Sequence, residues 1–260
     1  GLASDDQAVD LRRLAISERH AGEPEAVVTV TGRLQREPAL LRLDVVAEPI
    51  DGALFDLAGS LVGDVSFGSP RAAYRGQVEA RSPRRLRRRL SRCLEQPWAV
   101  TAAGRFEAQA VQPRSEAWSL RAETPFDASL RHDFAWDSET GAVEVRALSL
   151  RAGTAARDIL TAELTAPVYL RRGDSAGAVP AAEMRIRARG LPLSAANPFL
   201  PEAMPVRLQS GELHGDLDLE LAGAGPRCLV RGDLSLRDAV MSDRADGAAG
   251  GSFGMEAAVR

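Results

Sequence analysis

The chain contains three imidazoles, His20, His132 and His214. A metal centre needs three or four ligands that converge. His214 stands between Leu213 and Gly215 on the polar side of an alternating run, and no further ligand falls beside it, so a solvated surface histidine is expected. His132-Asp133 has the residue types of an acid/base pair. As a lone dipeptide ahead of an aromatic run it reads as a turn. Asp216, Asp218 and Glu220 recur at every second position, which lines three carboxylates along one strand face. Such a row could ligate Ca²⁺, but it has neither EF-hand spacing nor a Gly-Asp repeat. A solvated acidic face is expected instead, with Arg231 and Arg237 of the following strand placed to pair with it across the ladder. There is no G-x-S-x-G elbow, phosphate-binding loop or dinucleotide fingerprint. Trp98, Trp118 and Trp136 are too scattered for a sugar platform, and no pair of catalytic carboxylates accompanies them. The residues therefore predict no enzyme, no cofactor and no metal.

The element that positions these groups is the stretch from Val206 to Val240. Leu213, Gly215, Leu217, Leu219 and Leu221 alternate with Glu212, His214, Asp216, Asp218 and Glu220. Period two marks a strand with one wet and one dry face. Ala222-Gly223-Ala224-Gly225-Pro226 breaks the run, and it restarts at Val230, Gly232, Leu234 and Leu236. Two alternating runs around a Gly/Pro turn predict a β-hairpin.

The same device recurs along the chain. Alternating runs lie at Val28–Leu34, Leu41–Val45, Tyr74–Ala80, Val100–Ala108, Val143–Leu150, Leu160–Val168 and Met184–Ala188, separated by turn residues such as Glu37-Pro38 and Glu48-Pro49. About twelve to fourteen strands with short connections predict an all-β, antiparallel meander. A sheet that long must curl, split or close. Gly32, Gly59, Gly76, Gly104, Gly215 and Gly232 all fall on the dry side, either to bend the sheet or because small residues are tolerated there. One interruption has helical spacing. Leu86, Leu90, Cys93 and Leu94 share a helix face, with Ser82 as N-cap and Pro83 in the first turn. The opposite face carries Arg84, Arg85, Arg88 and Arg92, candidates for an anion or a membrane surface, or simply a solvated lid. The expected organisation is one elongated β-rich segment over 1–260 with a helical interruption at 82–95.

Composition narrows the partners. The chain is 45% hydrophobic with 5% aromatic residues, so thin aliphatic layers suit it better than a bulky core. All 33 basic residues are Arg and the formal net charge is -3, which argues against a general nucleic-acid binder. Cys93 and Cys228 could pair in an oxidising compartment or remain separate thiols. The chain starts in a polar stretch and ends on Gly250–Met255, which has the look of another strand, so it reads as a segment of a longer protein.

Two passages carry a resemblance. Arg189-Gly190-Leu191-Pro192-Leu193, Asn197–Pro201 and Leu208-Gln209-Ser210-Gly211-Glu212-Leu213 resemble the loop, S-G-x-L and alternating-strand grammar of bacterial AsmA-like proteins, the TamB-like envelope family. Val230–Val240 is similar to the G-x-L-x-L-x-D strand of that group, and the 82–94 segment followed by Gly104-Arg105-Phe106 is similar to another recurring unit. The resemblance implies a long sheet folded into a groove with an apolar floor. It implies a periplasmic protein, anchored in the inner membrane, that carries phospholipid toward the outer membrane, with bacterial membranes and other envelope proteins as partners. Under it Val28, Val30, Leu34, Val78, Leu164, Ile186, Leu217, Leu219, Leu234 and Leu236 would line the lipid path. The alternative is a structural or adhesive β-solenoid or sandwich module whose dry face is closed by its own side chains.

Overall fold

The computed structural model describes residues 2–4, 8–18, 26–50, 66, 70–83, 96–112, 114–115, 120–121, 125–154, 157–170, 180–194, 206–222, 227–243 and 249–259. Its strands are β1 (Leu2–Ser4), β2 (Ala8–Glu18), β3 (Ala26–Arg36), β4 (Ala39–Ile50), β5 (Arg71–Ser82), β6 (Ala99–Val111), β7 (Arg114–Ser115) and β8 (Leu120–Arg121). They continue as β9 (Phe126–Asp137), β10 (Ala142–Thr154), β11 (Arg157–Leu164), β12 (Val168–Leu170), β13 (Ala182–Pro192), β14 (Val206–Ala222), β15 (Arg227–Asp243) and β16 (Ala249–Val259). Among the described residues there is no α-helix.

Fourteen of these strands form one antiparallel sheet in the order β1-β2-β3-β4-β5-β6-β9-β10-β11-β13-β14-β15-β16, with β12 paired back onto β10 and β7-β8 apart. Nearly every strand lies beside its neighbour in sequence, as short connections require. The two ends of the order, β1 and β16, do not pair, so the sheet is not closed into a barrel. Each strand packs on its ladder neighbours, and no second layer of described strands faces the sheet. A single layer cannot bury large side chains. Among the described residues the fully covered apolar ones are almost all small, including Ala39, Ala72, Ala108, Ala188 and Ala239, and no large side chain is completely buried. The chain exposes 17438 Å². A compact monomer of its 27.8 kDa would expose about 11,000 Å².

The long hairpin is present as expected, with β14 and β15 each 17 residues long and in register from Ala222↔Arg227 to Val206↔Asp243. The Gly250–Met255 stretch lies in β16. Several details differ. Glu48-Pro49 does not end β4, because the strand runs through it to Ile50 with a register shift after Ala47. The Leu160–Val168 run is broken in two: β11 stops at Leu164, and β12, running in the same direction, resumes antiparallel pairing further along β10. Thr165-Ala166-Pro167 separates them, and Pro167 supplies no ladder donor. His132 is not in a turn. It sits in mid-strand in β9, which begins at Phe126, well ahead of the aromatic run. The basic helical segment, with Arg84, Arg85, Arg88, Arg92 and Cys93, lies outside the described residues, as do Gly59 and Trp118. Its proposed cap, Ser82, is the last residue of β5, and its hydroxyl donates to Gln96 Oε1 at 3.5 Å. Cys228 is a free, exposed thiol.

Candidate functional site

The alternation in each strand becomes a surface only when the registers are joined. From Ile16 the opposed residues run to Val28, Ala47, Tyr74, Phe106 and Leu130. They continue through Leu150, Ala162, Ile186, Leu217 and Gly232 to Val259. This row crosses twelve strands without a charged residue. Parallel rows hold the other expected positions: Val30 faces Val45, Leu34 faces Leu41, and Val78 faces Leu43 and Ala102. Leu164 and Leu219 both face Met184, Leu234 faces Gly215, and Leu236 faces Leu213. All ten positions named from the sequence therefore share one face, and each is half-buried. Their cover is lateral, from neighbours in the same layer. Toward the β1 edge the apolar face becomes more open, with Leu14 48% and Ile16 61% exposed.

Glycines on this face serve the large side chains beside them. A Cβ on Gly76 or on Gly104 would collide with the Tyr74 ring, which lies across both. A Cβ on Gly215 would meet the Leu234 side chain, and one on Gly32 would meet Leu43 and the Arg42 carbonyl. Gly232 has a φ of +144°, in the region that favours glycine, and its Cβ would strike the Asp216 carbonyl. The expected roles, bending or simple tolerance, omit this one: a missing side chain lets a neighbour lie flat on the sheet.

One polar cluster interrupts the apolar face. Tyr74 Oη and His132 Nε2 are hydrogen-bonded at 3.1 Å. Their rings are parallel within 3°, and His132 stacks on Phe134 with centroids 4.9 Å apart. Burial pushes the Tyr74 hydroxyl above its ordinary pKa. His132 Nδ1 is buried without a partner. Sequence reasoning missed this stack because His132-Asp133 reads as a turn when taken as a lone dipeptide. Leu130, His132, Phe134 and Trp136 in alternation were the available signal.

No protein-family model, curated protein or solved structure matches the chain.

The wet face is a charge ladder. Arg185 holds Asp218 at 2.8 Å and Arg187 holds Asp216 at 3.0 Å, both from β13 across to β14. The expected partner strand, β15, contributes less: Arg231 lies 3.9 Å from Glu220. Arg42 and Arg81 share Glu79, and Arg75 holds Glu48 at 3.2 Å. Hydrogen bonds from Arg42 and then Arg81 pull the Glu79 carboxyl below its usual range, and Arg185 does the same for Asp218. His214 is half-buried, with Nε2 3.1 Å from Glu212 Oε2. Asp216 and Asp218, each already held by an arginine, are poor cation ligands, and among the described residues no group of carboxylates, histidines or cysteines is arranged for a metal. Among the same residues no helix is long and apolar enough to cross a membrane.

Proposed function

We propose that the dry face binds the acyl chains of phospholipid, and that this segment belongs to an envelope protein that passes phospholipid between the inner and outer membranes. The observation that carries this reading is the uncharged row from Ile16 to Val259, left without a second layer by the described strands. Soluble monomers rarely leave a contiguous apolar patch beyond a few hundred Å² uncovered, so a surface of this extent calls for an occupant. Acyl chains suit it in chemistry and in shape. Each buried CH₂ contributes about 0.8 kcal/mol. The floor is mostly Val, Leu, Ala and Gly, repeated strand after strand, so burial changes little from one position to the next. A chain held this way can slide without meeting a deep trap. The paired wet face keeps the opposite side soluble. The periplasmic setting and inner-membrane anchor belong to the same proposal and rest on the resemblance of Leu208–Leu213 and Val230–Val240 to the AsmA-like grammar.

The test is native mass spectrometry with lipid extraction on the chain purified from bacterial membranes in mild detergent. Phospholipid should co-purify. It should be lost in Leu217→Asp/Leu219→Asp and retained in the wet-face variant Arg42→Gln. A lipid-free protein that unfolds cooperatively without detergent would overturn the reading in favour of a structural module.

A further inference from the structure

Within the wet face of the sheet Arg42, Arg75, Arg105, Arg185, Arg187 and Arg231 are each paired with a carboxylate across or along the ladder. Among the described residues Arg71 on β5, Arg131 on β9, Arg151 on β10, Arg189 on β13 and Arg237 on β15 make no ion pair. Three of them, Arg131, Arg151 and Arg189, are neighbours. Arg131 faces Ser149, and Arg151, two residues beyond Ser149, faces Ser129 on one side and Thr161 on the other. Thr161 faces Arg187, and Arg189 is two residues further along β13. Arg131 also continues a row of like charge, directly opposite Arg105, which is opposite Arg75. Like charges placed opposite one another cost stability. Sequences that break a local rule without structural return do so most often at functional positions.

The surface is concave here. A depression of about 620 Å³ is lined by Ser149, Arg151, Arg157, Thr161, Arg187 and Arg189, with Asp158 and Glu163 also on its wall. Arg157 is only loosely engaged, 4.0 Å from Glu212. Guanidinium groups converging with hydroxyls form the donor set that recognises a tetrahedral oxyanion, because each guanidinium fork can give two parallel hydrogen bonds. We propose that this depression between β10 and β13 binds a phosphate group, with Arg151 and Arg189 as its principal donors and Ser149 and Thr161 as neutral ones. Asp158 and Glu163 set its capacity. They repel a second anionic group and hold the site to one phosphate, whether free or on a headgroup. The site lies on the wet face and stands independently of what occupies the dry face.

The test is calorimetric titration of the whole chain with inorganic phosphate and, separately, with a short-chain phosphatidylglycerol below its micelle concentration. Arg151→Gln/Arg189→Gln should weaken binding at least tenfold, while Arg42→Gln should leave it within twofold. Raising the salt should weaken binding in the parent chain. Tighter binding of the lipid than of phosphate would assign the site to a headgroup. Equal binding, each abolished by the double substitution, would assign it to phosphate as such. Unchanged affinity in the double variant, or an equal loss in Arg42→Gln, would overturn the site by showing diffuse attraction. Because both positions are exposed, circular dichroism should show an unchanged fold, and the thermal midpoint should not fall when these unpaired cations are removed.

Discussion

Gly232 shows how much a single position controls in a one-layer sheet. Its positive φ and the Asp216 carbonyl, which lies where a β-carbon would stand, leave no room for a methyl group. Gly232→Ala is expected to cost about 2 kcal/mol or more, read as a lower urea midpoint with little change in slope. Gly76→Ala should act differently, because its first collision is with the end of the Tyr74 side chain, which can swing away. Loss of the Tyr74–His132 hydrogen bond would be its signature, visible as a shift of the His132 ring resonances in NMR. The wet-face carboxylates give the pH behaviour at this scale. Glu79, Glu144 and Asp218 all have their folded-state pKa lowered, chiefly by hydrogen bonds from Arg42, Arg146 and Arg185 respectively. A group depressed in the folded state contributes stability that is present above its ordinary value and is lost as pH falls through the lowered one. Thermal stability should therefore be flat near neutrality and decline as the solution is acidified below the usual carboxylate range. Arg42→Gln together with Arg185→Gln should make that acid decline shallower.

At the scale of elements, contacts run along the strand order and not across a core. Stability in such an array is close to a sum of nearest-neighbour terms, as in repeat proteins. Hydrogen exchange should accordingly be slowest at the centre, in β5, β6, β9 and β10, and faster toward β1 and β16. Leu217→Pro would remove a ladder donor from β14, which is paired on both sides. It should release β15 and β16 to exchange while the β3–β9 ladders stay protected. Simultaneous loss of protection across the whole sheet would show that the strands are coupled by more than their neighbours. The long β14–β15 hairpin was legible from its alternation and its Gly/Pro break. The break in Leu160–Val168 was not, because the alternation continues across Pro167 while both pieces pair antiparallel with β10, β11 along Ser149–Thr154 and β12 along Val143–Val145.

At the scale of the molecule, the large exposed area has a thermodynamic signature. Unfolding adds less apolar surface to water when one face of the sheet is already bare. The heat-capacity change per residue should fall below the usual range of about 12–15 cal/mol/K, measured by calorimetry on lipid-free protein. Saturation with phospholipid should raise it. A normal value in the lipid-free state would mean that the dry face is already covered by protein.

Period-two alternation, turn residues and the scarcity of aromatics were enough to determine an all-β meander, its dry-face residues and the long hairpin, because these depend on the two-sided geometry of a strand and act within a few residues. They also placed Val28, Ile186, Leu217 and the other dry-face positions on one surface, since short connections force neighbours in sequence to be neighbours in the sheet. What joins strands far apart was decided by register alone. Alternation says which side a residue faces but not which residue it meets. The pairing of Asp216 and Asp218 with Arg187 and Arg185, the Tyr74–His132 stack over two glycines and the gathering of Arg131, Arg151 and Arg189 around Ser149 and Thr161 each depend on the offset of one ladder against the next, and shifting a strand by two residues would preserve the alternation while dissolving whichever of them that strand carries.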